Sequence, residues 1–339
     1  MNKNRLPRLR YEEPKTAEEA SRIKRDFGEE AIILAGGTDV IPLLKRRNIP
    51  ARIVINIKRI PELHRITYAQ VTGLKVGAAV TLREVAEHPV TAGAYPSLVE
   101  AALSVAYNQI RNMGTLVGNI CVDNKCSYFN QTAFWWQSRT DCFKRGGDRC
   151  YVVKGGKQCH ALSVGDTVSA LMVLDASVSI FGPERERHVP LKDFYTGDGR
   201  RPHRLASDEF VTGVMIPVPA HGWREGFMKK SHRGSVDFAI ASLSLRLKGN
   251  GEGVEDVRIA MNGVSSEPIR ATDVEHYLIG KRLGREVIAE ALRLLLKEAT
   301  PISPIGASTL LRRKMIEAMF VDLIEKTGVF QHEKENPGA

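Results

Sequence analysis

Short apolar bursts dominate the first two thirds of the chain, and apolar residues recur at helical spacing in the last third. Residues 10–13 read as a short strand. Thr16 then stands as an N-cap, with Glu19 placed to complete a capping box, and a helix is predicted to about residue 26. The continuous apolar run 31–35 predicts a buried strand, followed by Gly36-Gly37-Thr38-Asp39 and a helix to about residue 46. Alternation over 52–57 predicts another strand, and 65–70 and 74–79 read as a hairpin across Thr72-Gly73. Thr81 caps a helix ending at Pro89, a second helix follows Pro96, and 114–122 reads as a glycine-punctuated strand. After an irregular stretch to residue 159, 166–180 reads as helix then strand. Pro217, Pro219 and Gly222 mark a boundary. Beyond it 226–230, 238–247 and 257–264 read as three strands and 271–326 as helical. The chain thus divides into 1–60, 61–220 and 224–330, with 331–339 predicted to be a disordered tail.

A chain of 339 residues can bury a substantial core over two or three domains. The opening MNKNRLPRLRYEEP lacks the apolar stretch of a signal peptide, and the longest apolar run, 168–180, is broken by Asp175. A soluble, cytoplasmic protein with no membrane partner is expected. The formal charge of +10 raises the question of nucleic acid. Its Lys and Arg residues are spread along the chain, without a basic helix or basic–aromatic alternation, so no nucleic-acid partner is expected. The charge fits a solvated surface, with some basic residues gathered around an anionic ligand such as a nucleotide or an acyl-CoA.

Two glycine-containing loops carry the candidate chemistry. The first, Ile33-Leu34-Ala35-Gly36-Gly37-Thr38-Asp39-Val40, places two glycines between a buried strand and a helix, where the backbone can approach a phosphate and present its N–H groups. Its spacing is not G-x-G-x-x-G, so a nicotinamide site is not indicated. The second is Arg111-Asn112-Met113-Gly114-Thr115-Leu116-Val117-Gly118-Asn119. Together they could hold one pyrophosphate from opposite sides.

This pair resembles the loops of the FAD-binding subunits of molybdenum hydroxylases, whose first loop reads A-G-G-T/H and whose second reads T-I-G-G-N. The resemblance runs from residue 31 to the C-terminal helices. It implies an α+β architecture: a FAD-binding fold of the vanillyl-alcohol oxidase and p-cresol methylhydroxylase type, made of two α/β subdomains (1–60 and 61–220). A carbon monoxide dehydrogenase flavoprotein-like C-terminal domain follows, with a three-stranded antiparallel sheet and helices. By the same resemblance, residues 33–40 bind the cofactor, with 35–40 holding the pyrophosphate and Thr115, Gly118 and Asn119 closing over it. Asp166 reaches the ribose, and Lys229 supplies a cation near the flavin's pyrimidine ring. Val117 departs from the family, which has glycine there, and implies a slightly altered second loop.

Five cysteines, Cys121, Cys126, Cys142, Cys150 and Cys159, fall in one stretch and nowhere else. In a cytosolic protein such clustering points to metal rather than disulfides. Four thiolates suit an iron–sulfur cluster; structural zinc also remains open, although zinc sites usually draw on close C-x2–4-C pairs. The segment 122–162 is an insertion relative to most flavin subunits. It resembles the insertion of the flavin subunits of 4-hydroxybenzoyl-CoA reductases, which holds an additional [4Fe-4S] cluster. That resemblance implies Cys126, Cys142, Cys150 and Cys159 as ligands, with Cys121 left over beside the flavin loop.

Arg139, Lys144, Arg145, Arg149, Lys154 and Lys157 are expected to offset the cluster's negative charge, and Tyr128, Phe129, Phe134, Trp135 and Trp136 to form a dry shell. The resemblance further implies an electron-transfer subunit without catalytic residues of its own. A molybdopterin-binding large subunit, a [2Fe-2S] small subunit and ferredoxin as donor are the partners it implies, in a dimer of heterotrimers. The rival expectations are a xanthine- or aldehyde-type hydroxylase using NAD, and a zinc-stabilised flavin-fold scaffold.

Overall fold

The computed structural model describes residues 5–234, 236–250, 252–304 and 306–328. The expected tail at 331–339 lies outside these. Among the described residues, no helix is long and apolar enough to cross a membrane.

The chain opens with β1 (Arg10–Glu12), α1 (Ala17–Phe27), β2 (Ala31–Leu34), α2 (Val40–Arg46) and β3 (Ile53–Asn56). Both β1 and β2 pair parallel with β3, giving a three-stranded sheet in the order β1-β3-β2. The apolar run of β3 is buried on both faces, as a central parallel strand requires. Thr16 caps α1 by accepting the Glu19 N–H, but the Glu19 carboxylate accepts from Lys15 N–H at 2.7 Å, so the expected box closes one residue early.

Next come β4 (Ile66–Ala69) and β5 (Gly73–Gly77), the predicted hairpin, then α3 (Leu82–Glu87), α4 (Pro89–Ala94), α5 (Pro96–Leu103), α6 (Asn108–Arg111), α7 (Leu116–Ile120) and α8 (Ala133–Trp136). They are followed by α9 (Val168–Val173), β6 (Ser177–Phe181), β7 (Glu186–Pro190), α10 (Leu191–Phe194) and β8 (Phe210–Ile216). The strands form an antiparallel sheet in the order β4-β5-β8-β6-β7. Its central strand, β8, had no counterpart in the sequence reading, because Gly213 interrupts an apolar run that closes on Pro217. A second correction concerns 114–122. Only Thr115 bridges another segment, to Thr81, and the chain then turns into α7 because the Thr115 hydroxyl accepts the Gly118 N–H at 2.9 Å. The two sheets share one continuous apolar core.

The C-terminal part holds β9 (Trp223–Lys230), β10 (Ala241–Asn250), β11 (Gly253–Asn262) and β12 (Ile269–Arg270), then α11 (Thr272–Leu278), α12 (Arg285–Glu298) and α13 (Thr309–Lys326). The antiparallel sheet has four strands, β12-β11-β10-β9, not three. The added β12 pairs over two residues, too few to leave a periodic signal. β10 starts at residue 241 rather than 238, leaving the chain after β9 as a loop. The helices pack on this sheet around a second core.

Candidate functional site

The two glycine loops meet. A Cβ on Gly36 would lie 2.1 Å from the Met113 carbonyl oxygen, so only glycine allows the first loop to rest against the second. Gly37 has φ +74°, the left-handed turn that carries the backbone from β2 into α2. The second loop is held from behind: Leu82 N–H donates to the Gly114 carbonyl at 2.9 Å, and Leu116 N–H to Val80 at 3.1 Å. Asn119 Oδ1 accepts from both the N–H and the hydroxyl of Thr167, at 2.9 and 2.8 Å. Asn262 Nδ2 donates to the Gly165 carbonyl at 2.8 Å, anchoring the same segment to the C-terminal sheet.

These loops border a cavity of about 720 Å³. Every residue from Ile33 to Val40 except Leu34 lines it, as do Thr115, Gly118, Asn119 and Asp166. Val117 also lines it while packing into the main core. The cavity is mostly apolar, and its volume lies within the range typical of small-molecule and cofactor sites. α2 and α7 are short, so the loop N–H groups rather than a long helix dipole are what an anion would meet.

Lys229 is not among the lining residues. Its ammonium donates to Asp166 Oδ2 at 2.6 Å and to the Ser104 carbonyl at 3.1 Å, behind the cavity wall. The pair is almost fully buried, and Asp166 Oδ1 has no hydrogen-bond partner among the described residues. Burial pushes the Asp166 carboxyl up to about 6, with the Lys229 charge opposing the shift. An unpartnered acceptor on the wall of a cofactor-sized cavity is suited to a hydroxyl donor.

His203 was not singled out in the sequence. It also lines the cavity, stacked on Phe194 with ring centroids 5.0 Å apart. Burial holds its imidazole down to about 4, so it is neutral. One ring nitrogen bonds the Ile120 carbonyl, and Nε2 has no partner among the described residues. A lone histidine in an irregular segment leaves no pattern that would reveal this placement.

A smaller cavity, of about 20 Å³, is lined by Cys126, Cys142, Cys150 and Cys159 together. Cys121 is elsewhere, on the wall of the large cavity, its thiol pushed up to about 12 by burial. Three of the four clustered sulfurs accept backbone N–H groups: Cys126 from Phe129 and Tyr128, Cys150 from Val153 at 3.4 Å, and Cys159 from Ala161. Such bonds favour thiolate and orient sulfur ligands. Burial nonetheless raises the thiols of Cys126 and Cys159, the latter to about 12, so a bound cation is what would draw off their protons. No group of three or more His, Cys, Asp or Glu side chains among the described residues is placed to hold a metal ion.

The surrounding shell is partly as expected. Phe129 and Trp136 are buried and Tyr128 stacks on Tyr151 at 5.4 Å, but Phe134 is 70% exposed and stands outside the dry shell. Lys144 and Arg149 line the cysteine cavity. Arg139 instead covers the Trp135 ring, and Arg145 binds Asp141 at 2.7 Å.

Known proteins share this fold and its two domains. The FAD binding domain in molybdopterin dehydrogenase matches residues 7–219, and the carbon monoxide dehydrogenase flavoprotein C-terminal domain matches residues 226–327. The aldehyde oxidoreductase FAD-binding subunit of Escherichia coli is 30% identical over 262 residues, covering 72% of this chain and 79% of its own length. The nicotinate dehydrogenase FAD-subunit of Eubacterium barkeri is 26% identical, covering 92% and 95%. In fold, the chain superposes on a carbon monoxide dehydrogenase structure from Hydrogenophaga pseudoflava with a TM-score of 0.79, at 23% identity, over 96% of this chain and 98% of the other. The chain therefore belongs to the FAD-binding subunits of the molybdopterin dehydrogenases, the flavin-carrying medium subunits of molybdenum hydroxylases.

Proposed function

We propose that this chain is the FAD- and [4Fe-4S]-binding electron-transfer subunit of a cytoplasmic, molybdenum-dependent 4-hydroxybenzoyl-CoA reductase. In this reading a molybdopterin-binding large subunit removes the phenolic hydroxyl to give benzoyl-CoA, a [2Fe-2S] small subunit links the two, and reduced ferredoxin is the donor. The single observation that carries the reading is the meeting of Cys126, Cys142, Cys150 and Cys159 around one cavity, inside a segment that adjoins the dinucleotide loops.

When bound, FAD supplies chemistry in one- and two-electron steps. The chain's own residues bind and orient. Residues 35–40 and Thr115, Gly118 and Asn119 would hold the pyrophosphate, and Asp166 would accept from a ribose hydroxyl while Lys229 balances its charge. The four cysteines would close the coordination of the cluster with no position left for substrate, in keeping with a relay rather than a reaction centre. Lys144 and Arg149, at the wall of that cavity, would offset its negative charge.

Anaerobic purification tests the assignment. The expected product is a brown protein with iron and acid-labile sulfide in equal amounts, one of each per ligand cysteine, and C142S should lose both. Stoichiometric zinc without sulfide would replace this reading with a structural metal site.

A further inference from the structure

Two buried lysines of the cysteine-bearing segment pair with carboxylates on the wall of the dinucleotide cavity, Lys144 within the segment itself and Lys125 across to the first glycine loop. Lys125 Nζ donates to Asp39 Oδ1 at 2.5 Å and Lys144 Nζ to Asp123 Oδ1 at 2.7 Å, and their side chains are 6% and 4% exposed. Both carboxylates line the large cavity. Asp39 matters more, because it ends the first glycine loop, where a carboxylate would repel a pyrophosphate. Away from bulk water that repulsion is poorly screened, and an ammonium in contact with the carboxylate cancels most of it.

Lys125 is fixed by its neighbours. Its N–H and carbonyl both pair with Leu162 at 2.9 Å, and its ammonium lies 5.8 Å from the centre of the Phe238 ring. The next residue is Cys126, whose N–H is bonded to Asn130 Oδ1 at 3.0 Å. The same stretch of backbone therefore presents a sulfur to the smaller cavity and a cation to Asp39 on the wall of the larger one. A second tie runs alongside: Asn48 Nδ2, just beyond α2, donates to the Phe129 carbonyl at 3.1 Å.

We propose that Lys125 is a positioning residue for the dinucleotide, neutralising Asp39 at the first glycine loop, and that it couples FAD affinity to the state of the cysteine segment. Ligation of Cys126 holds the adjoining Lys125 against Asp39. When the segment loosens, the cation withdraws and Asp39 faces the phosphates alone. The coupling is reciprocal, so FAD also strengthens retention of whatever the cysteines hold. The coupling half rests on the cofactor reading above; the charge pairing requires only that the large cavity takes FAD.

The test measures FAD affinity of the full chain by quenching of flavin fluorescence. The proteins are the unsubstituted chain, K125M, D39N and K125M/D39N, each before and after anaerobic incubation with ferrous iron and sulfide. K125M is expected to bind FAD about tenfold more weakly, and the double variant to recover to within about threefold of the unsubstituted chain. Recovery excludes simple misfolding, since removing a second polar group would not repair a damaged fold. Iron and sulfide should tighten FAD binding about fivefold or more in the unsubstituted chain, but not in the double variant.

Unchanged affinity in K125M, or a double variant as weak as K125M, would overturn the charge pairing. Uptake of iron and sulfide without any change in FAD affinity would overturn the coupling. Failure to take them up would overturn the coupling together with the cysteine-site reading, and the apo-protein measurements tell this apart from failure of the charge pairing.

Discussion

Asp166 and Lys229 show how one residue pair can link the wall of a cavity to the sheet behind it. Each side chain is nearly fully buried, so each depends on the other for its charge to be tolerable. K229M should lower the stability of the apo-protein by about 3–5 kcal/mol in urea unfolding, because it strands a buried carboxylate, and K229M/D166N should recover much of that loss. The pH dependence follows from the raised Asp166 carboxyl. The folded state binds its proton more tightly than the unfolded chain, so this group favours the fold fully below about pH 4 and the contribution is lost as pH rises through about 6. D166N should remove that component from the pH profile of unfolding. Sequence alone marked both residues and assigned Lys229 to the flavin; the register of β9 puts it beside Ser242 of β10 and within reach of Asp166.

At the scale of elements, the site is made by two connections that touch. The first loop was legible because a strand, two glycines and a helix follow one another in sequence. The second was legible in composition but not in conformation, since its apolar residues fit a strand as well as one turn of helix. A hydrogen bond from Gly118 to the Thr115 hydroxyl decided it. The contact between loops gives a sharp prediction. In G36A the new methyl group meets the Met113 carbonyl, so the loops must part. The variant should lose about 1–3 kcal/mol of stability and purify with little flavin, read from the flavin-to-protein absorbance ratio. G93A is the control, because a Cβ on Gly93 meets nothing within 4 Å.

At the scale of the whole molecule, the cysteine segment is a junction rather than an appendage. It reaches the first sheet region through Lys125 and Asn48, and the C-terminal part through Asn124 on the Ser266 carbonyl and Ser127 on the Pro304 carbonyl. Cys159 is tied to the long connection before β8, its N–H donating to Asp198 at 3.3 Å. An electron donor that enters through this segment would bypass any nicotinamide site at the flavin. Under the proposed function, the assembled enzyme should therefore show flavin reduction by reduced ferredoxin and none by NADH in anaerobic stopped-flow spectra. Rapid reduction by NADH would favour the xanthine- or aldehyde-type alternative.

Local pattern carried much of the identity of this protein. The order of apolar bursts, the two glycine loops and the confinement of every cysteine to one stretch are all written in adjacent residues, and they carry the resemblance that implied the fold class and the candidate cofactors. What needed the tertiary structure was everything that depends on residues distant in the chain coming together. His203 reaching the cavity wall, Lys229 turning to Asp166 and Lys125 meeting Asp39 are such cases. Burial and charge pairing between distant segments have no period along the chain. Only folding brings those groups close enough to shift each other's charge.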